Sequence, residues 1–251
     1  MKPISPLTAA TPAIAGSPEA TTAPGPGGTP AAAGSRFDQT LRSLKVWDTE
    51  LPAFDPEAAP DAPLGLFREW FVAAADAGQP EPHTMSLATV DADGRPDVRT
   101  VMLHGADDRG WHFASHATSA KGRQLAARPD AALGFYWPAQ GRQVRVRGQV
   151  STGTPEEAYA DLHTRSTGAL ASALVGRQSE VLASVAELER ASGAAWERAR
   201  AEPDAHAETW TVYALEPHEV EFFQGDERRR HVRLRYRRSP DGTWERELLW
   251  P

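Results

Sequence analysis

The sequence predicts an α+β fold dominated by antiparallel strands that curl toward a barrel, with helices on its flanks. Three observations carry this reading. Gly-closed turns separate short apolar-rich runs, which is the pattern of a hairpin meander. Residues 143–150 alternate cleanly, with Val144, Val146, Gly148 and Val150 on one side and Gln143, Arg145, Arg147 and Gln149 on the other. Such a strand is buried on one face and solvated on the other. Between the strands, Ser, Thr and Pro stand where helix starts use them.

The elements follow in order. Residues 1–35 are almost entirely Ala, Pro, Thr, Gly and Ser, a composition with too little to bury to offset its ordering entropy, so a disordered tail is expected. Folding is expected to begin near Phe37, with residues 36–251 as one domain and residues 52–63 as a surface connection. Leu66, Phe67, Trp70, Phe71 and Ala74 follow helical spacing over residues 64–77, and Gly78 and Pro80 end that helix. Strands are expected at 84–90, 98–103 and 111–115. Ser119 caps a helix over 120–127, stopped before Pro129. Strands at 131–137 and 143–150 come next. Thr154-Pro155-Glu156-Glu157 is a capping box with Pro at the first helical position. A longer charged helix is expected over 181–201, and strands at 210–215, 220–223, 232–236 and 244–249 finish the chain.

Composition narrows the function. The chain has 251 residues, enough for one sizeable core, and Cys 0 removes disulfides, thiolate metal sites and cysteine nucleophiles. A net charge of −7 argues against a dedicated nucleic-acid binder. The Arg-rich stretch 228–238 alternates with Val232, Leu234 and Tyr236, which fits a half-buried strand better than a basic stripe. No apolar run is long enough to cross a bilayer, and Pro3, Pro6 and Pro12 interrupt any signal-type segment. A cytoplasmic protein is the expectation.

Common catalytic signatures are absent: no H-E-x-x-H, no Walker loop, no G-x-S-x-G. His112 and His116 have no carboxylate at ligand spacing, so no metal is expected. What remains is a set of oddly placed polar residues. Arg99 opens an apolar strand. Ser119 and Lys121 open a helix, where free N–H groups, a hydroxyl and an ammonium converge as a phosphate requires. The blander reading of Ser119 is simple capping. Gln143 shares its strand face with Arg145 and Arg147, whose blander reading is solvation. Gln178 and Ser179 precede the long helix. Arg229, His231 and Arg233 alternate, which would put three donors on one strand face.

Taken as a set, Arg99-Thr-Val-Met-Leu-His104, Ser119-Ala-Lys-Gly122, Phe135-Tyr-Trp-Pro138, Gly141-Arg-Gln-Val-Arg-Val-Arg-Gly148, Gly176-Arg-Gln-Ser179 and Glu221-Phe-Phe-Gln-Gly225 followed by Arg229-Arg-His-Val-Arg233 resemble the pyridoxamine 5′-phosphate oxidase family. These are FMN-binding split-barrel flavoproteins, and the resemblance runs from about residue 64 to the C-terminus. It implies an FMN-dependent oxidase working as a homodimer, with FMN at the subunit interface, a hydride passing from substrate to flavin, and O2 reoxidising the flavin to give H2O2. It implies that Arg99, Ser115, Ser119 and Lys121 hold the FMN phosphate and that Gln143 bonds the flavin. Gln178 and Ser179 would reach across from the partner subunit, and Arg233 would lie near the ring. Phe223 stands where the family usually has Trp. Arg229 and His231 match the residues that hold substrate over the flavin.

The departures concern substrate. The family holds a substrate phosphate with Lys, Tyr, Arg and Ser, and the matching positions here are His104, Asp161, Arg165 and Ala169. Asp161 would repel a phosphate dianion if aimed at it. A shift of two residues would instead offer Tyr159. Ala120 replaces a usual Arg beside the FMN phosphate, and the chain ends Leu248-Leu-Trp-Pro251 rather than Arg-Leu-Ala-Pro. These changes resemble the branch of flavin oxidases of phenazine-type metabolism. The resemblance therefore leaves two substrates open, pyridoxine or pyridoxamine 5′-phosphate and a non-phosphorylated dihydro-aromatic metabolite. A flavin-binding module without turnover and a nucleic-acid binder complete the alternatives.

Overall fold

The structure is a computed structural model that describes residues 35–47 and 50–251. The expected tail lies outside the described residues, apart from Ser35. The chain divides into two compact units, Met1–Lys45 and Val46–Pro251. In the first, helix α1 (Arg36–Ser43) starts from a capping box between Ser35 and Asp38.

The second unit is built on one nine-stranded antiparallel sheet with strands β1 (Thr84–Val90), β2 (Pro96–Met102), β3 (Gly105–Asp107), β4 (Gly110–His116), β5 (Asp130–Trp137), β6 (Arg142–Thr152), β7 (Trp210–Gln224), β8 (Val232–Arg238) and β9 (Trp244–Leu249). Hydrogen-bonded order runs β2-β1-β5-β6-β7-β4-β3, and β8 and β9 branch from β7. The branch is the key to the shape. Residues 210–215 of β7 pair with β4, residues 219–224 pair with β8, and β6 runs along both halves. β2 approaches β4 without pairing to it, so among the described residues the barrel is split rather than closed.

Sequence spacing predicts two strands at 210–215 and 220–223; the structure has one strand through Pro217. Pro lacks the N–H of a ladder bond, and a bulge accommodates it: the β6–β7 register shifts between Arg147 and Gly148. Gly148 is required there, because a Cβ would stand 1.9 Å from the Glu216 carbonyl oxygen.

The core lies inside the curl. Helix α2 (Pro63–Asp76) lays Leu66, Phe67, Trp70 and Ala74 on it. Phe67 meets Trp111 at 5.3 Å and Phe135 at 5.1 Å between ring centroids. Each such buried aromatic contributes about 1.5–3 kcal/mol over an exposed one. Helix α3 (Ala120–Ala127) starts at the Ser119 cap, and helix α4 (Pro155–His163) at the Thr154 box, both as expected. Helix α5 (Thr167–Val175) has no counterpart in the sequence reading. Its Ala-Leu-Ser run has little amphipathic contrast, and it gains its stability by packing Leu170, Ala171 and Ala173 beside Leu162 and Ala199. Helix α6 (Val185–Ala201) begins four residues later than spacing suggests. Ser184 caps it, and Val181 stays 94% exposed outside it.

Candidate functional site

The expected site residues assemble into three groups. The first is built at the start of α3. Ser119 accepts the Gly122 N–H, which fixes the first turn. That turn lies so close to the preceding chain that a Cβ at Gly122 would stand 2.3 Å from the Ala117 carbonyl oxygen. The turn presents Lys121, only 8% exposed, toward Ser115 on β4. Its Nζ donates to Ser115 Oγ at 3.0 Å and to Gln178 Oε1 at 3.1 Å, and Ser115 Oγ donates to the same Oε1 at 2.9 Å. The Ala120 N–H donates to Ser179 Oγ at 3.2 Å. Gln178 and Ser179 thus approach Lys121 within one chain. Ser179 holds a left-handed φ of 73°, a strained setting for a non-glycine residue.

Arg99 joins this group from β2, which begins at Pro96 rather than at Val98 as expected. Its guanidinium donates to Thr89 Oγ1 at 2.5 Å, Asp97 Oδ2 at 2.6 Å and Gln124 Oε1 at 2.8 Å. Gln124 lies one turn beyond Lys121 on α3. Burial first, and the Arg99 charge second, push the Lys121 ammonium below its usual range. Burial and then Lys121 do the same to His116, whose Nδ1 lies 2.8 Å from Thr209 Oγ1. Lys121 forms no ion pair among the described residues. A buried ammonium held only by neutral oxygens, with a second cation near, is a site that an anion would complete. This fits the phosphate of FMN.

The second group is a row across three strands. Gln143 on β6 pairs in register with Phe223 on β7, which pairs with Arg233 on β8. Their neighbours Val144, Phe222 and Leu234 face the core, so the row faces out. Arg233 Nε donates to Glu221 Oε1 at 2.8 Å, and its NH1 to the Trp250 carbonyl at 2.9 Å. An amide, an aromatic ring and a guanidinium in line suit a flat ring with a polar edge. His231 packs against Phe223 at 5.1 Å between ring centroids. Its Nδ1 accepts the Asp226 N–H at 3.0 Å, which leaves the proton of the neutral ring on Nε2.

One expectation needs correction here. Arg229, His231 and Arg233 do not share one strand face: β8 starts at Val232, and Arg229 sits in the preceding turn with φ 63°. Asp226 organises that turn by accepting the Arg228 and Arg230 N–H groups. Sequence reasoning also missed Trp47. Its ring lies 5.2 Å from His231 and 6.3 Å from Phe223. The only sequence signal was a lone Trp among polar residues ahead of the first strong helix. Arg99 sits on β2 and Arg233 on β8, with β1, β5, β6 and β7 between them along the hydrogen-bonded order.

The third group is His104, Asp161 and Arg165. Asp161 Oδ1 lies 3.0 Å from His104 Nδ1, and Arg165 donates to both carboxylate oxygens at 3.0 and 3.1 Å. Trp210 Nε1 donates to Oδ2 at 3.1 Å. Burial works against the ionised carboxylate, but the hydrogen bonds from His104, Arg165 and Trp210 outweigh it and hold Asp161 far below the usual aspartate range. Tyr159 is no substitute: its ring packs against His163 at 3.9 Å between centroids, tilted by 30°, lining another cleft. Ala169 donates its N–H to the Ser166 cap. Asp107 lies 2.7 Å from His112, a carboxylate that spacing did not anticipate. No cluster of three metal-ligating residues occurs among the described residues, and no described helix is long and apolar enough to cross a membrane.

The fold defines the class as a split barrel. The family model for pyridoxamine 5′-phosphate oxidase matches residues 71–221, and that for the pyridoxine 5′-phosphate oxidase C-terminal dimerisation region matches residues 210–251. The pyridoxine/pyridoxamine 5′-phosphate oxidase of Pseudomonas paraeruginosa is 45% identical over 195 residues, covering 77% of this chain and 90% of the relative. That of Thermosynechococcus vestitus is 45% identical over 197 residues, 78% and 92% of the two chains. PhzG from Burkholderia lata 383, solved in complex with tetrahydrophenazine-1-carboxylic acid, superposes with a TM-score of 0.74 at 31% identity, over 82% of this chain and 100% of that one. A pyridoxamine 5′-phosphate oxidase-related, FMN-binding protein of Nostoc punctiforme shares the fold, with a TM-score of 0.61 at 20% identity over 77% and 100%. The chain belongs to the pyridoxamine 5′-phosphate oxidase family, and it is an oxidoreductase.

Proposed function

We propose that the chain is an FMN-dependent oxidase that works as a homodimer. A reduced substrate carbon gives up a hydride, and O2 takes the electrons on, yielding H2O2. The observation that carries this reading is Lys121, buried beside Arg99 with neutral partners only. Lys121, Arg99 and the α3 start would hold the phosphate, while Gln143 and Arg233 would bond the polar edge of the ring. When bound, FMN supplies the hydride acceptor. Phe223 and Trp47 exclude water from one side of His231, and His231 Nε2 donates a hydrogen bond to the substrate. Arg229 adds a cation beside it. The match of residues 210–251 to a dimerisation region supports a site completed by a second copy.

Two substrate classes suit this chemistry. The names of the curated relatives support pyridoxine or pyridoxamine 5′-phosphate. One contact favours the other class, a reduced aromatic ring without a phosphate: Arg165 is already engaged by Asp161. We take the second as the reading that the geometry supports best. The test is anaerobic reduction of the bound flavin. A reduced heteroaromatic donor is expected to bleach the yellow protein faster than pyridoxamine 5′-phosphate. Faster bleaching by the phosphate ester would restore the first class, and a flavin inert to both would mark a binding module without turnover.

A further inference from the structure

Two residues along each strand from the row Gln143, Phe223 and Arg233, the same outward face is charged, and each strand there carries a single sign. Arg145 lies on β6, Glu221 on β7, Arg235 on β8 and Glu247 on β9, register partners in turn. Ion pairs on an exposed sheet face contribute little by themselves. Glu221 is not exposed: it is 7% accessible, and its two oxygens serve different guanidinium groups. Oε1 accepts Arg233 Nε at 2.8 Å, and Oε2 accepts Arg145 NH2 at 2.5 Å. Glu219, equally buried, has its ion pairs among the described residues with Arg145, Arg147 and Arg235.

Arg233 is thereby tied at two corners. Its Nε goes to Glu221 and its NH1 to the Trp250 carbonyl at 2.9 Å, while NH2 makes no hydrogen bond or ion pair among the described residues. A long Arg side chain keeps much rotamer freedom, which a ligand contact would otherwise have to remove. Here the two ties remove it in advance. The Glu221 hydrogen bond comes first in raising the Arg233 pKa, so the guanidinium stays charged. Arg145 takes the second oxygen, so the carboxylate is shared between two cations rather than neutralising Arg233 alone.

We propose that Glu221 is a positioning residue for the flavin: together with the Trp250 carbonyl it fixes the Arg233 guanidinium before FMN arrives and leaves NH2 as the donor for the polar edge of the ring. This rests on the placement of Arg233 beside the flavin ring given above. Glu221 acts through Arg233 rather than on the ring itself. The chain end enters the site through a backbone carbonyl, and the Trp250 indole, 93% exposed, takes no part in the tie.

The experiment is a double-mutant cycle on FMN affinity, read by flavin fluorescence as FMN is titrated into flavin-free protein. Glu221→Ala is expected to weaken binding by about fivefold or more, and Arg233→Ala by about tenfold or more. Because Glu221 acts through Arg233, the double variant is expected to bind FMN within about twofold of Arg233→Ala alone. Glu219→Gln disturbs the same charged face but leaves both ties on Arg233, and is expected to stay within about twofold of wild type. Glu221→Asp keeps the charge but withdraws both oxygens by a methylene. It runs the same cycle if Glu221→Ala does not fold, with an expected loss of about threefold or more. Losses that multiply in the double variant, unchanged affinity in the folded Glu221 variants, or an equal loss in Glu219→Gln overturn the proposal. A wild-type protein that binds no FMN defeats the flavin reading and this proposal with it, whereas wild-type binding with multiplying losses defeats this proposal alone.

Discussion

The Lys121 ammonium lies 3.1 Å from Gln178 Oε1, across 57 positions of sequence, and both oxygens it donates to, those of Gln178 and Ser115, are neutral. The pair ties the α3 start to the loop after α5. Removing the ammonium is expected to remove much of the flavin affinity. A charge-assisted hydrogen bond contributes about 1.5–3 kcal/mol, so Lys121→Ala should weaken FMN binding by about 10- to 100-fold. Flavin content after dialysis checks this, with the flavin-free melting temperature as a control for folding.

Lys121 also predicts a pH dependence. Its folded pKa lies below the usual lysine value of 10.5, so the flavin-free native state holds fewer protons than the unfolded chain in that interval. Stability of the flavin-free protein should rise as pH climbs through the window below 10.5. A bound phosphate favours the charged ammonium, so the thermal stabilisation given by FMN should shrink over the same window. Melting temperatures with and without FMN, from neutral pH upward, read both trends.

Two glycines give a paired test of α3 placement. Gly122→Ala would drive a Cβ to 2.3 Å from the Ala117 carbonyl oxygen, so the helix start must move. It is expected to cost about 1–3 kcal/mol and to lower flavin content. Gly193→Ala on α6 meets nothing within 4 Å and is expected to be neutral or to stabilise by about 0.5–1 kcal/mol. Thermal denaturation and flavin absorbance of the two variants separate local crowding from a general intolerance of alanine.

Trp47 lies edge-on to His231 at 5.2 Å between ring centroids. Aromatic pairs contribute about 0.5–1.5 kcal/mol beyond their burial, so Trp47→Ala should lower kcat/KM by up to about tenfold through a looser His231. Flavin content should fall far less than in Lys121→Ala, since Trp47 meets the ring row only through Phe223 and touches none of the Lys121 group. Steady-state kinetics with the donor that bleaches the flavin check the split.

Much of this was legible before the structure. The alternation at 143–150 gave the face of Gln143, and the Ser119 cap gave the turn that presents Lys121. The capping box at Thr154 placed Asp161 on α4, and the chain leaving that helix past the Thr164 cap brings Arg165, four positions on, back to pair with it. What spacing could not supply was long-range partnership. His104 reaches Asp161 across 57 positions, and no local pattern records that. β7 looked like two strands because Pro217 ordinarily ends one, and the tolerance came from Gly148 on another strand. α5 stayed hidden because tertiary packing, not amphipathic contrast, holds it.

The central claim is tested most directly by titrating FMN into flavin-free protein and into Lys121→Ala, following flavin fluorescence. The account predicts saturable binding of one FMN per chain by the wild-type protein and a much weaker isotherm for the variant. No saturable binding, or isotherms that coincide, would contradict it.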